Sequence, residues 1–515
     1  MAYLMGIDVS TTGCKALIVD EKGGVVAGAV HEYRLLTPYP GWAEQHPEHW
    51  WSAAVASVRA ALSKAGLSGK DMTAVGLTGQ MHGSVFLDEK DDIIRPCILW
   101  CDQRTEEQCR WITATVGEGV LTQETLNPVL TGFTAPKIIW LRQREPENYA
   151  RLRKVLLPKD YLRLRLTGEY ATEVSDASGT SLLNVPKRQW SKPVLERLEI
   201  PEEMLPRCYE SAEISGKVSK GAAEETGLAE GTPVAGGGGD QAAGAVGNGI
   251  VRTGLVSAVS GTSGVVFAQT DSALLAPRLL LHSFCHAVPG KWHLMGVMLA
   301  AGGSFRWFRD ALGAEERAVG AESGKDPYEV LCEEAAQAAP GCEGLLFLPY
   351  LIGERTPYPD PDARGVFFGL SLRHTKKHLV RAVLEGVSYG LKDSFDIMAE
   401  MGVPIQEVRA SGGGARSPLW RQIQADVTGY AHSTINVDEG PAFGAALLGG
   451  VGAGVYANVV EACDAGIRTT SITHPQPANH ELYREFHGVY KSLYQALKDL
   501  LGVNARLVEK YLAKA

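Results

Sequence analysis

The sequence predicts an α/β protein built from two related lobes. Three observations lead to this fold class. The chain has 515 residues, which is too long for one hydrophobic core at roughly 150 residues per domain. Short apolar runs alternate with stretches of helical periodicity. A turn rich in glycine and hydroxyl residues joins two strand-like runs at residues 10–13 and again at 261–264, which is the pattern of an internal repeat.

The first lobe is predicted to open with a β-meander. Apolar runs at 3–9, 14–19 and 25–29 are separated by short glycine-containing turns, which is typical of hairpins. Pro47 is well suited to a first helical turn, and the apolar residues that follow recur at helical spacing. A further strand is predicted over 73–78.

The second lobe is predicted to repeat this opening with strands over 255–260 and 265–269. Ser417 and Pro418 are typical of a helix start, and Gly429 of its end. Helical spacing of apolar residues also predicts a helix near the end of the chain. We place the lobe boundary near Gly249, which gives an N-terminal lobe of residues 1–249 and a C-terminal lobe of 250–515.

Charge and composition exclude several classes of protein. The chain carries 50 basic and 59 acidic residues, a net charge of −9, which argues against a nucleic-acid or anionic-membrane partner. Nine scattered cysteines make a disulfide framework improbable. The first residues lack the features of a signal peptide, and the weakly polar stretch 443–460 is too rich in glycine for a membrane span. We therefore expect a cytoplasmic enzyme.

The two glycine-and-hydroxyl turns are candidate phosphate sites. Glycine lets the backbone approach an anion, and hydroxyl groups such as those of Thr12 and Thr262 donate to phosphate oxygens. Lys15 follows the first turn and could add a positive charge. Asp8 precedes that turn, where its carboxylate could hold Mg²⁺ through water. Two ordinary β-turns are the alternative, which the repetition makes less attractive.

A run of four glycines ends at a single acid, Asp240. A carboxylate at the end of a stiff glycine segment is well suited to act as a general base, provided that a substrate hydroxyl comes within hydrogen-bonding reach. The alternative is a flexible loop with a solvated aspartate.

A third glycine cluster precedes the helix predicted from Pro418. Gly413 and Gly414 therefore lie where a helix N-terminus favours phosphate or nucleotide, although tight packing alone would also require glycine. No Gly-Lys pair is followed by Ser or Thr, so a Walker A loop is absent from the sequence. His282, Cys285 and His286 lack the spacing of a zinc finger and are interpreted as structural.

Together these segments resemble the FGGY family of carbohydrate kinases over almost the whole chain. The family-wide segments are MGIDVSTTGCKALIVD (5–20), GFTAPKIIWL (132–141), AGGGGDQAAGAVGNG (235–249), SGTSGVVF (260–267), GVFFGLSLRHTKKHLVRAVLEGVSYGL (365–391) and SGGGARSPLWRQIQADVTG (411–429). Four segments resemble the branch of the family that acts on D-xylulose: GQMHG (79–83), LLPKDYLRLRLTGE (156–169), HSFCHA (282–287) and FLPYLIGERTP (347–357).

The resemblance implies two actin-like (ribonuclease H-like) lobes with the active site in the cleft between them. It implies ATP and Mg²⁺ as cofactors, with D-xylulose phosphorylated at O5. The implied roles fall on ten residues: Asp240 as catalytic base, Asp8 in catalysis and at Mg²⁺, Met81, His82 and Gln241 at the sugar together with Asp240, and Thr12, Lys15, Thr262, Gly413 and Gly414 around ATP. The sequence leaves the oligomeric state open, with a homodimer among the alternatives.

One departure from the branch pattern concerns the substrate. Cys101 and Gln103 stand where Asn and Gly are common, and Gln241 stands where Asn is common. Because these positions are expected near the sugar, a kinase for another pentulose, polyol or sugar acid stays open. A non-catalytic, nucleotide-dependent binding protein is a more distant alternative, which the acid at position 240 disfavours.

Overall fold

In the computed structural model, which describes residues 2–512, two seven-stranded sheets form the centres of the two halves of the chain. The strands are β1 (Tyr3–Val9), β2 (Gly13–Asp20), β3 (Val25–Glu32), β4 (Glu44–Gln45), β5 (Met72–Gly79), β6 (Val85–Leu87), β7 (Cys97–Ile98), β8 (Lys154–Leu156), β9 (Ala171–Glu173), β10 (Leu183–Asn184), β11 (Gln189–Trp190), β12 (Arg207–Tyr209), β13 (Ile214–Lys217), β14 (Pro233–Ala235), β15 (Gly238–Gly239), β16 (Gly254–Ser260), β17 (Gly264–Thr270), β18 (His282–Cys285), β19 (Trp292–Met298), β20 (Leu346–Leu348), β21 (Val366–Phe368), β22 (Ile405–Ser411), β23 (His432–Ile435) and β24 (Thr469–Thr473).

Helices cover the faces of both sheets. They are α1 (Pro47–Ala65), α2 (Glu106–Val116), α3 (Glu118–Thr125), α4 (Thr134–Arg144), α5 (Pro146–Arg151), α6 (Pro158–Thr167), α7 (Val174–Ala177), α8 (Lys192–Leu198), α9 (Lys220–Thr226), α10 (Asp240–Gly247), α11 (Gly302–Leu312), α12 (Ala314–Ser323), α13 (Pro327–Ala335), α14 (Lys376–Glu400), α15 (Pro418–Thr428), α16 (Gly440–Gly452), α17 (Val459–Gly466) and α18 (Pro477–Leu512). None of the helices within residues 2–512 is both long and apolar enough to cross a membrane.

Six strands of each sheet share one topology. The first sheet has the order β13-β14-β5-β1-β2-β3, with β15 as a seventh strand paired to β5, and the second has β24-β23-β22-β16-β17-β19, with β18 added beside β19. In each, the first strand of the opening hairpin also pairs in parallel with a later strand, β1 with β5 and β16 with β22. This confirms the α/β class and the internal repeat predicted from the two turns.

The local signals in the sequence mark the element ends well. Helix α1 begins at Pro47 and ends at Gly66, whose left-handed backbone (φ 66°) closes the last turn. Ser417 caps α15 by accepting a hydrogen bond from the Trp420 amide, and Gly429 (φ 80°) ends that helix. The C-terminal helix, predicted from apolar residues between Leu482 and Leu500, extends further at both ends, from Pro477 to Leu512.

The chain between β5 and β13 leaves the first sheet and forms a subdomain of helices and short strands that reaches the second half. The Asn127 side chain donates to the Ser283 carbonyl oxygen at 2.8 Å, and the Cys285 amide donates to Ser178 Oγ at 3.0 Å. The edge strand β18 is therefore bonded to the subdomain. This contact brings the HSFCHA segment beside residues from the first half of the chain.

Helix α16 comes from the second half of the chain but packs on the first sheet. A Cβ atom at Gly6 of β1 would lie 1.8 Å from the Ala442 carbonyl oxygen, and one at Gly76 of β5 would lie 1.8 Å from that of Ala445. The helix and strand backbones are thus in direct contact. Because a β-carbon fits at neither position, glycine is required at both.

We expect Gly6→Ala to lower the free energy of unfolding by about 3 kcal/mol or more, because the added methyl group collides with a backbone carbonyl that cannot move alone. Gly488→Ala is the matched control. Gly488 lies on the exposed face of α18 with no atom within 4 Å of a built Cβ, so alanine should raise stability by roughly 1 kcal/mol. Urea unfolding followed by circular dichroism measures both changes, and equal stabilities for wild type and Gly6→Ala would contradict the packing argument.

Candidate active site

Two carboxylates lie at the end of β5, on either side of it. Asp8 is paired in register with Thr78 from the β1 side, and Gly238 is paired with Thr78 from the β15 side. Asp240 follows β15 directly and is the first residue of α10. The sheet therefore brings together two acids that are more than two hundred residues apart in the sequence.

Burial raises the pKa of both acids. The pKa of Asp8 rises to about 7, first because the carboxyl group is desolvated and then because Asp240 repels its charge, while Lys15 acts in the opposite direction. The pKa of Asp240 rises to about 6 through desolvation, which hydrogen bonds from Gln241 partly offset. Asp8 Oδ1 is buried without a hydrogen-bond partner among residues 2–512. This site therefore favours a bound cation.

The first hairpin turn lies beside these acids. Thr12 is exposed at its tip, and Lys15 lies opposite Asp8 on β2. Lys15 Nζ forms an ion pair with Glu439, the residue directly before α16. A predicted phosphate ligand is thus paired with a carboxylate from the other half of the chain, which the sequence did not indicate.

The second hairpin turn is held by the start of α11. The amides of Gly302 and Gly303 donate to the carbonyl oxygens of Gly261 and Thr262 at 2.7 and 2.9 Å. A Cβ at Gly302 would lie 2.4 Å from the Gly261 oxygen, so glycine is required there. The sequence did not lead us to this support, although a Gly-Gly pair ahead of an amphipathic helix is a usable signal for a helix start packed closely on another segment.

The third glycine loop packs on the end of β16 and so lies beside the second turn. Cβ atoms at Gly412 and Gly414 would lie 2.9 Å from the Ser260 oxygen and 2.6 Å from Ser260 Cβ, whereas nothing lies within 4 Å of one at Gly413. The structure therefore brings Gly413, Gly414 and Thr262 together at one end of the second sheet, and Gly413 faces open space.

Met81 and His82 form a turn after β5. His82 has a positive φ of 69°, and its ring stacks on Phe133 with ring centres 4.6 Å apart. A Cβ at Gly239 would lie 2.9 Å from Met81 Cγ, so Met81 contacts the residue before Asp240. The predicted sugar-side residues and the predicted base are therefore neighbours.

The GFTAPKIIWL segment fixes that turn. The Lys137 ammonium group donates to the carbonyl oxygens of His82 and Gly132 at 2.8 and 2.6 Å, and Thr134 Oγ1 donates to the same His82 oxygen at 3.1 Å. Burial lowers the pKa of Lys137 to about 8. This segment thus acts as a support for the His82 turn.

The structure also determines the hydrogen-bonding state of His82. Its Nδ1 atom lies 2.7 Å from the Gly179 carbonyl oxygen, which can only accept, so Nδ1 carries the proton and Nε2 the lone pair. Burial and the nearby Lys137 charge lower its pKa to about 3. His82 is therefore a neutral hydrogen-bond acceptor at Nε2.

Trp100 is a cleft residue that the sequence analysis missed. Its side chain is 41% exposed, and its indole N–H donates to Thr11 Oγ1 in the first turn at 3.0 Å. Of the two neighbouring departures from the branch pattern, Gln103 accepts a hydrogen bond from Thr131 Oγ1 at 2.8 Å, and Cys101 is half-buried. An exposed indole beside the first hairpin turn is recognisable only after folding.

Two groups of metal-type ligands are already bonded to other protein groups. His282 and His286 are hydrogen-bonded to the Asn127 side chain and the Ile250 carbonyl oxygen. A cluster of Asp393, Asp396 and His487 joins α14 and α18, but His487 Nε2 lies 2.8 Å from Asp393 Oδ1, and Lys392 lies 2.8 Å from Asp396. In that cluster, at least one oxygen of each carboxylate therefore already has a partner in the protein.

Two sheets that each open with a glycine-and-hydroxyl hairpin, with two acids beside the first hairpin, are typical of a phosphotransferase of the actin-like class. Comparison with family models agrees: residues 3–247 match the FGGY family of carbohydrate kinases, N-terminal domain, and residues 256–453 match its C-terminal domain. The chain belongs to this family, and its substrates are ATP and a sugar.

Relatives of known name extend the likeness to the whole chain. It is 40% identical to a xylulose kinase of Escherichia coli, over 96% of this chain and 99% of that protein. It is 38% identical to a xylulose kinase of Lactococcus lactis, over 99% of both chains. A crystal structure from Brucella ovis described as a xyloylose kinase has a TM-score of 0.89 and 37% identity, covering 97% of this chain and 100% of that one. The predicted family and two-lobed actin-like fold are confirmed.

We predict that His82 does not titrate between pH 5 and 9 and that its proton stays on Nδ1, because protonation of Nε2 would place a charge in a buried pocket beside Lys137. Nitrogen-15 NMR of labelled histidine measures this directly, with His82→Gln assigning the signal. A titration midpoint near 6.5 would contradict the burial of this ring.

Proposed function

We propose that this protein transfers the γ-phosphoryl group of ATP to O5 of D-xylulose, giving D-xylulose 5-phosphate and ADP. The observation that carries the proposal is the position of Asp240, which lies across the end of β5 from Asp8 and directly follows Gly239, the residue that Met81 contacts. The full-length likeness to proteins named xylulose kinases supports the choice of sugar.

In this reaction Asp240 is the general base. It accepts the proton of the primary hydroxyl as O5 attacks the γ-phosphorus, and the bond from that phosphorus to the β–γ bridging oxygen breaks as ADP leaves. A pKa of about 6 suits this role, since the carboxylate is ionised near neutral pH and still basic enough to take the proton. Its place at the start of α10 adds the favourable field of a helix N-terminus.

The sugar chain is expected to lie along Met81 and His82. Because His82 Nε2 is an acceptor, it binds a sugar hydroxyl as donor, and Met81 supplies an apolar contact. Gln241 donates to Asp240, which orients the carboxylate toward the substrate. These contacts fix which hydroxyl reaches the base.

The donor set beside the first turn fits Mg²⁺. Asp8 Oδ1 is buried without a protein partner, and repulsion from Asp240 raises the pKa of Asp8. A hard cation that prefers oxygen ligands would give Oδ1 a partner and would reduce this repulsion. Asp8 would hold the ion, through water as the sequence suggested. When bound, Mg²⁺ supplies neutralisation of the phosphate charge.

The ATP phosphates are expected between the two turns, with Thr12 and Lys15 on one side and Thr262, Gly413 and Gly414 on the other. Thr12 and Gly413 are both exposed in this structure, which leaves them accessible to a ligand. Lys15 is paired with Glu439, so a phosphate oxygen that binds Lys15 competes with that carboxylate. Nucleotide binding should therefore release Glu439.

Three further expectations from the sequence stay predictions. They are the division into lobes at residues 249 and 250, assembly as a homodimer, and a cytoplasmic location.

We expect D-xylulose to give the highest kcat/KM in a coupled ADP-release assay across pentuloses, polyols and sugar acids. The reason is that His82 accepts but cannot donate at Nε2, which suits a hydroxyl and disfavours a carboxylate. D-gluconate is the informative competitor, because it carries a carboxylate, the group that His82 should disfavour. A preference for the sugar acid would overturn the proposed substrate.

Replacing the base should remove turnover without removing binding. We expect Asp240→Asn to lower kcat by about 10²–10⁴-fold, since an amide cannot accept the proton. In wild type, kcat/KM should fall tenfold per pH unit below about 6 and level off above it, because the active form is the ionised one and the raised pKa moves its loss from near 4 to near 6. Calorimetric MgATP binding controls for folding. Near-normal turnover of Asp240→Asn would remove Asp240 from the mechanism.

A further inference from the structure

Behind the glycine run lies a fully buried group of charged residues that the proposed mechanism does not use. Lys159 Nζ lies 2.8 Å from Asp160 Oδ1, 2.9 Å from Asp176 Oδ2 and 3.5 Å from Glu173 Oε1. All four side chains have no exposed surface. Buried ion pairs rarely stabilise a fold more than apolar residues of the same size. A group of this kind is better explained by what it holds in place.

Glu173 is the most constrained member of this group. Its Oε1 accepts from Ser175 Oγ at 2.9 Å and from the Asp176 amide at 2.8 Å. Its Oε2 accepts from the Ser175 amide and from Ser211 Oγ, both at 2.7 Å. With the Lys159 charge beside it, this carboxylate is held in one orientation, and the Ser175 hydroxyl is directed with it.

Ser175 connects this group to the candidate base. Because its hydroxyl proton is donated to Glu173, its oxygen presents a lone pair to the chain behind it. That lone pair accepts the amide hydrogen of Gly239, with Oγ and N 3.1 Å apart. Gly239 directly precedes Asp240, so this bond fixes the peptide from which the carboxylate projects.

Arg163 holds the other end of the same run. Its guanidinium group donates to the carbonyl oxygens of Ala235 and Gly236 at 2.7 and 2.6 Å. Between the two ends, Gly237 has a φ of 75°, and a Cβ there would lie 1.8 Å from the Leu77 oxygen. The run is therefore fixed along its length and is not a flexible loop.

We infer that Ser175 is a positioning residue for Asp240, acting through the Gly239 amide, and that Glu173 and Lys159 orient its hydroxyl. This rests on the proposed function, in which Asp240 is the general base. The role also explains the KDY segment of LLPKDYLRLRLTGE, since Lys159 supplies the charge that orients Glu173. A displacement of about 1 Å at a reacting group costs about 10²-fold in rate, so the bond matters for turnover more than for binding.

The chain offers a matched control for this bond. Ser175 and Ser211 are both fully buried, and both donate to Glu173, but the Ser175 hydroxyl alone accepts from Gly239 among the residues 2–512. We expect Ser175→Ala to lower kcat by about 10–100-fold with the KM for ATP nearly unchanged, and Ser211→Ala to keep kcat within about threefold of wild type. Urea unfolding of both variants controls for loss of fold.

Two readouts separate positioning from general loosening. In Ser175→Ala the acid limb of the pH profile should move to higher pH, because a displaced Asp240 loses the Gln241 hydrogen bonds that favour its ionised form. In the Asp240→Asn background, adding Ser175→Ala should cause no further loss of turnover, since the residue it positions is already inactive.

The outcomes distinguish the role of Asp240 as general base from the role of Ser175 in positioning it. If Asp240→Asn keeps near-normal turnover, the proposed base is wrong, whatever Ser175 does. If Asp240→Asn is inactive but Ser175→Ala and Ser211→Ala match each other in kcat and pH profile, the positioning role is wrong and the proposed function is untouched. A full additional loss in the double variant would also overturn the inference.

Discussion

The packing of α10 and α16 against each other and onto the first sheet is the contact on which the active cleft depends. A Cβ at Gly444 of α16 would lie 1.9 Å from the Ala243 oxygen of α10, and one at Gly247 of α10 would lie 2.2 Å from the Gly440 oxygen. Only residues without a β-carbon allow backbones to approach this closely. Asp240 begins α10 beside the end of β5, and Glu439, directly before α16, pairs with Lys15 opposite Asp8, so both acids lie near the same end of the sheet.

The same burial that holds the two halves together gives the cleft its chemistry. Desolvation raises the pKa values of Asp8 and Asp240 and lowers that of His82, so two acids become more basic while the imidazole becomes a neutral acceptor. An exposed cleft with the same residues would leave these groups near their ordinary pKa values. The cost is electrostatic repulsion between the two carboxyl groups, which a bound cation and a proton taken from the substrate would reduce.

The segments of the candidate site are supported by polar groups that bind their backbone carbonyl oxygens. Lys137 holds the His82 turn in this way, Arg163 holds the glycine run, and the amides at the start of α11 hold the second hairpin turn. In each case, the supporting group satisfies backbone carbonyl oxygens of the segment that it holds. A buried cation or helix start thus makes a glycine-rich segment rigid enough to place a reacting group.

The sequence by itself determined the repeated hairpins, the ends of α1 and α15 and the candidate residues Asp8 and Asp240, because turns, caps and glycine runs are local signals that a few neighbouring residues encode. It did not indicate the Lys15–Glu439 ion pair, the exposed Trp100 indole or the Ser175–Gly239 bond. Each of these joins residues at least sixty-four positions apart, and no local pattern records which distant partner a side chain will meet. The tautomer of His82 and the raised pKa values likewise follow from burial, which only the packed lobes decide.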